Sequence, residues 1–282
     1  MSWAWSPGSG AGPIGDTAMN RTDPRSQALL ETKGLAAGYG GQSVVSGIDL
    51  AIHRGDILGL LGANGSGKTT LLKAVTGQLP LMAGQVSLGG VDLATAPVAA
   101  KARFGLAIDP ADLPTSLSGR QYLELVASIR GCEGDVWPTG DVIGSLGLGS
   151  WLGRPIADYS LGTRAKVAIA AALVGAPPLL VFDESFNGLD PEAAWEARCM
   201  IGELAFTRDH AVILSTHVIE TVPAFCNRAI FLADGQIVES WDGPSLVNAS
   251  PTPGAFEAHI IGRLRRSKAQ RAAKRLTGRV VL

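Results

Sequence analysis

The stretch Gly62-Ala63-Asn64-Gly65-Ser66-Gly67-Lys68-Thr69-Thr70 has the residue types and spacing of a phosphate-holding loop, GxxxxGK[ST]. A polyphosphate concentrates negative charge, so holding one takes several N–H donors converging on one point. Glycines let the backbone of residues 62–67 approach closely and adopt positive φ, making an anion-binding nest. A helix opening at Lys68 adds its positive end, roughly half a charge. Lys68 can reach the β- and γ-phosphates, the Thr69 hydroxyl can ligate Mg²⁺, and Asn64, Gly65, Ser66, Gly67 and Thr70 complete the loop. A second motif, the acidic pair Asp183-Glu184, follows the apolar run Leu179-Leu180-Val181-Phe182. Asp183 is suited to hold Mg²⁺ through its water shell, and Glu184 to polarise a water that attacks the γ-phosphate. The implied chemistry is binding and hydrolysis of a nucleoside triphosphate.

These groups need a sheet edge to meet on. Ile57-Leu58-Gly59-Leu60-Leu61 predicts a short buried strand before the loop, and Leu71 to Val75 continues as a helix. From Lys33 the pattern turns β-like, with Ser43–Val45 and Ile48–Ile52 expected as strands separated by glycine turns. Gln85–Leu88 predicts a further strand. The segment from Pro110 to about Asp158 is irregular and helical, with a clear helix over Gly119–Ile129. Strands and helices alternate again from Leu179 to about Glu239, which predicts a parallel sheet with crossover helices.

Bulk properties narrow the class. With 24 basic and 25 acidic residues among 282, the charge excess typical of a nucleic-acid binder is absent, and none is expected as a partner. Cys132, Cys199 and Cys226 are odd in number and widely spaced, which argues against a disulfide or zinc framework. The apolar region Val167–Phe182 is interrupted by Gly175, Pro177 and Pro178, so it predicts a helix followed by a strand, not a membrane span. No basic-then-apolar signal sequence opens the chain, so it is expected to stay on the side where it is made.

Between the two acidic and basic motifs lies Tyr159-Ser160-Leu161-Gly162-Thr163-Arg164, opening a helix expected to run through Val174. Here the chain resembles the nucleotide-binding subunits of ABC transporters, whose signature is Leu-Ser-Gly-Gly-Gln or a near variant. The resemblance covers about Lys33 to Asp242. It implies an α/β P-loop NTPase core of RecA-like type, an N-terminal antiparallel β subdomain and a helical insert (about 110–160) carrying the signature. It also implies that Tyr39 stacks on adenine, that Gly188-Leu189-Asp190 forms the loop after the acidic pair, and that His217 senses the γ-phosphate. Asp234-Gly235-Gln236-Ile237-Val238 is similar to the family's late β-turn. Asp109 stands where the family has Gln, one methylene shorter and charged, so its contact with Mg²⁺ is either direct or through water. Leu161 and Thr163 replace the commonest Gly and Gln, while Ser160 and Gly162 are kept; Ser185 replaces the usual Pro.

What the resemblance implies is an ATPase that works as a pair. ATP with Mg²⁺ is held by Lys68, Thr69 and Asp183 of one subunit and covered by Ser160 and Gly162 of a second, identical or different. A separate transmembrane permease would carry the substrate, with this chain at the cytoplasmic face of the membrane and an exporter-type subfamily favoured. The alternative is a soluble ATPase of the same family acting on a cytosolic assembly. By organisation, residues 1–32 are expected as a mobile extension, 33–245 as the catalytic domain and 246–282 as a basic tail. The tail holds Arg263, Arg265, Arg266, Lys268, Arg271, Lys274, Arg275 and Arg279, suited to a solvated helix or to contact with an anionic surface.

Overall fold

The computed structural model describes residues 27–132, 137–138, 141–207 and 210–277. The chain opens on β1 (Leu30–Tyr39) and β2 (Gln42–Ile52), then β3 (Ile57–Gly62) and α1 (Lys68–Val75). β4 (Leu81–Leu88), β5 (Val91–Asp92), α2 (Pro97–Lys101) and β6 (Phe104–Ala107) come next. The helical insert supplies α3 (Gly119–Ile129) and α4 (Val142–Ser145), and α5 (Leu161–Leu173) leads back to β7 (Leu179–Asp183). After α6 (Pro191–Thr207) come β8 (Ala211–Ser215), α7 (Thr221–Phe225), β9 (Arg228–Ala233) and β10 (Gln236–Trp241). α8 (Gly243–Asn248) and α9 (Ala255–Thr277) close the chain.

Two sheets result. The larger has strand order β10-β9-β3-β8-β7-β6, parallel throughout except that β10 runs antiparallel to β9. Its central strands are continuous apolar runs because both faces are covered: Leu179–Phe182 and Ala211–Ser215 are all buried. Successive side chains still part to opposite faces. Ile57, Leu61, Leu180, Phe182, Val212, Leu214 and Phe231 join one core, with α5, α6 and α7. Leu58, Leu60, Leu179, Val181, Ile213 and Ile230 join the other, with α1 and the smaller antiparallel sheet, ordered β2-β1-β4-β5.

Several boundaries differ from the sequence expectation, among them β4, which starts at Leu81 and not at Gln85. β1 starts at Leu30, not Lys33: Leu30 pairs with Ile52 and Leu88 and is fully buried, so the catalytic domain reaches back into the supposed extension. The segments at 43–45 and 48–52 are one strand; Gly47, at φ 63°, makes a bulge within β2 and not a turn between strands. The basic stretch from residue 246 is anchored at its start by α9. Phe256 and Ile260 of α9 are buried in the core, with the Phe256 ring edge-on to Trp241 at 5.3 Å. Trp3, Trp5 and the rest of residues 1–26 lie outside the described residues, as does Arg279.

The helix expected over Gly119–Ile129 forms with those bounds, because Ser118 and Gln121 make a reciprocal capping box. The three cysteines are free thiols. Cys226 is buried beside Gly59 of β3, and burial pushes its thiol up to about 12. A maleimide should therefore label exposed Cys199 in the folded chain and leave Cys226 unmodified until denaturant is added. Mass spectrometry of the labelled peptides reads the difference.

Candidate nucleotide site

The phosphate-type loop hangs from the middle of the larger sheet. β3 is buried from Ile57 to Leu61 and ends at Gly62 between β9 and β8, at the carboxyl edge where parallel sheets hold ligands. A Cβ on Gly62 would meet Ser66 Oγ at 2.5 Å and the Leu232 carbonyl at 2.6 Å, so only glycine lets the loop fold back this tightly. Gly67 caps α1 at φ 107° and offers no side-chain bond to the helix; no acidic residue stands in the first turn. The first N–H groups of α1 are thus left for an anion. Ser66 Oγ is buried without a partner, a polar atom that a phosphate oxygen would satisfy. These features fit a bound polyphosphate.

Lys68 is only 6% exposed. Its Nζ donates to the Gly62 carbonyl at 3.0 Å and stands 3.7 Å from Glu184 Oε1. Thr69 is exposed beside it, and Thr70 is buried. Asn64 and Gly65 are exposed on the loop. The β1–β2 hairpin leans on this loop, since a Cβ at Gly67 would meet Val45 Cγ1 at 2.6 Å. Tyr39 closes β1 with half its surface open to solvent, as a stacking platform requires.

Asp183 ends β7 directly opposite Ser215, the last residue of β8. The Ser215 hydroxyl donates to Asp183 Oδ1 at 2.5 Å and accepts the Glu184 N–H at 3.0 Å, so one buried hydroxyl fixes both acids. Glu184 adopts φ 50°, a left-handed conformation costing about 1 kcal/mol or more for a non-glycine residue. That turn brings its carboxylate within 3.4 Å of His217 Nδ1 and 2.9 Å of Asn187 Nδ2. The parallel neighbours β3, β8 and β7 therefore bring Lys68, Asp183, Glu184 and His217 to one edge, as the sequence predicts. Ser215 and Asn187 were missed. The signal for Ser215 was its place two residues before His217; Asn187 lay unremarked between Glu184 and Asp190.

Asp109 is exposed just beyond β6. Its Oδ1 accepts the Ala111 N–H at 2.8 Å, capping the short turn Pro110–Asp112, so one of its oxygens is already engaged. Ser160 caps α5: its Oγ accepts the Thr163 N–H at 3.1 Å and meets Thr163 Oγ1 at 2.9 Å. Gly162 packs on the loop after Glu184, where an added Cβ would lie 2.8 Å from the Gly188 carbonyl. Asp190 accepts the Ala193 N–H at 2.9 Å, capping α6; this bond holds its carboxyl below the usual range, and the charge of Lys166 adds to the effect. Among the described residues, the Ser160 side chain bonds within its own turn and to none of Lys68, Glu184 or His217.

The chain is similar to known proteins in both sequence and fold. A model of the ABC transporter family matches residues 45–187. The uncharacterized ABC transporter ATP-binding protein YdbJ of Bacillus subtilis (strain 168) is 33% identical over 211 residues, which cover 75% of this chain and 68% of that protein. The bacitracin transport ATP-binding protein BcrA of Enterococcus faecalis is 31% identical over 213 residues, again 75% of this chain and 68% of that one. A solved structure of the ATP binding subunit of an ABC transporter superposes with a TM-score of 0.76 at 27% identity, over 84% of this chain and 99% of that chain. The chain belongs to the ABC transporter family.

Proposed function

We propose that this chain is the ATP-hydrolysing subunit of an export-type membrane transporter, acting as one of two nucleotide-binding subunits beneath a separate permease at the cytoplasmic face. The observation that carries the reading is the gathering of Lys68, Asp183, Glu184 and His217 at one sheet edge. A relative named for bacitracin transport supports a transport role.

ATP is the substrate. Lys68 leaves Glu184 and neutralises charge on the β- and γ-phosphates, and Tyr39 stacks on adenine. Glu184 takes a proton from a water as its oxygen bonds to the γ-phosphorus; the bond from that phosphorus to the β–γ bridging oxygen breaks, and ADP departs. His217 donates to the γ-phosphate and so registers its presence. Thr69 and Asp183 would hold Mg²⁺, with Asp109 contributing its remaining oxygen, and the ion would supply positive charge to offset that of the phosphates. The second anion-seeking helix end, Ser160 with Gly162, covers the ATP of a neighbouring subunit.

Among the described residues no helix is long and apolar enough to cross a membrane. On α3, Leu125 and Ile129 are four residues apart and exposed, 46% and 76%, giving the insert an apolar face for the permease. Tagged chain purified from detergent-solubilised membranes should carry a multi-span protein, and Ile129→Glu should release it with ATP affinity unchanged. Recovery of the wild-type chain with ribosomes, and never with a membrane protein, would refute the transport role.

A further inference from the structure

We propose that Asn187 is a positioning residue for hydrolysis, whose side-chain amide orients Glu184 and selects the tautomer of His217. This rests on the roles given above to Glu184 and His217. The Asn187 Nδ2 group donates to Glu184 Oε2 at 2.9 Å and lies 3.5 Å from His217 Nδ1. His217 Nδ1 is itself 3.4 Å from Glu184 Oε2, so the three polar atoms form a triangle.

An amide nitrogen carries two N–H donors and no acceptor. One engages the carboxylate. The other faces Nδ1, and the lone pair able to accept it belongs to the tautomer with its proton on Nε2. Without the amide, Nδ1 would instead carry the proton and donate to Glu184. Asn187 therefore holds His217 with Nε2–H as a donor available to a γ-phosphate, and keeps the imidazole from occupying the carboxylate as a partner. Charged groups around the pair are Glu184 itself and Lys68, which reaches the other carboxylate oxygen.

The backbone makes this placement specific. Glu184 turns at φ 50°, Asn187 N–H closes that turn on the Glu184 carbonyl at 3.0 Å, and Gly188 follows at φ 84°. The amide is thus delivered back over the residue three positions earlier. One residue further, Gly188 touches Leu161 and Gly162 of the signature segment.

The test uses the full chain with ATP and Mg²⁺. Asn187→Ala should lower kcat about tenfold, a fraction of what a general base contributes, with affinity for a fluorescent ATP analogue within about twofold of wild type. In chain labelled with ¹⁵N-histidine, the His217 signals (assigned by their loss in His217→Ala) should move from the Nε2–H pattern toward a mixture with Nδ1–H. Asn187→Asp keeps the shape but offers only acceptors, and should lose more activity; Asn187→Gln keeps the donor and should recover part of it. Wild-type kcat and an unchanged tautomer in Asn187→Ala and Asn187→Asp would overturn the proposal. So would a fall in kcat without a change of tautomer and without recovery by Gln. A wild-type rate in His217→Ala would remove the underlying role of His217, a failure visible in that variant alone.

Discussion

Glu184→Gln lowers the ATPase rate by roughly two to four orders of magnitude and leaves the chain as an ATP-bound dimer. The substitution preserves the volume of the side chain and its reach toward Asn187 and His217, but removes the group able to take a proton from water. It also removes the negative charge now 3.7 Å from Lys68 Nζ, so the ammonium is freed for phosphate and ATP affinity rises. The left-handed turn at residue 184 and its N–H bond to Ser215 involve the backbone and are retained. Light scattering with ATP and Mg²⁺ should read twice the monomer mass, and phosphate release should fall near background. A monomeric variant that still turns over ATP would remove Glu184 from the role of base and dissolve the paired mechanism.

Lys68→Ala weakens ATP binding by roughly two orders of magnitude, about 3 kcal/mol, the scale for deleting one member of a desolvated charged contact. Lys68 is buried at the mouth of the loop, its Nζ on the Gly62 carbonyl and 3.7 Å from Glu184 Oε1. Its loss leaves the Glu184 carboxylate without its ammonium neighbour in the nucleotide-free chain, so the apo protein should also melt lower. Titration with a fluorescent ATP analogue measures the affinity. Unchanged binding would place the triphosphate elsewhere, because a loop built around residues 62–70 has no second cation to substitute.

The site was largely legible in the sequence, and the reason is geometric. A strand, a glycine loop and a helix start that follow one another along the chain hold their relation through local backbone geometry, so residues 57–75 carry their own placement. The same holds for the apolar strand that delivers Asp183 and Glu184, and for α3, whose start is set by a capping box four residues long. Elements whose limits depend on a distant partner were misjudged. Gly47 looks like a turn until β1 is laid beside it, and Leu30 looks like the end of a polar extension until Ile52 and Leu88 cover it. Phe256 and Ile260 are sparse apolar residues in a basic stretch; Trp241 and the core beneath it turn them into an anchor.

The sequence by itself determined which groups are present and which chemistry they can perform: an ammonium on a phosphate loop, two adjacent carboxylates, one imidazole, and a serine at a helix start. Only the tertiary structure decided who meets whom. Parallel pairing of β3, β8 and β7 brings Lys68, Glu184 and His217 together from remote parts of the chain, seats Ser215 between the two acids, and folds Asn187 back onto Glu184. Hydrogen bonds of about 3 Å across strands far apart in the chain follow from sheet register, which linear spacing does not encode.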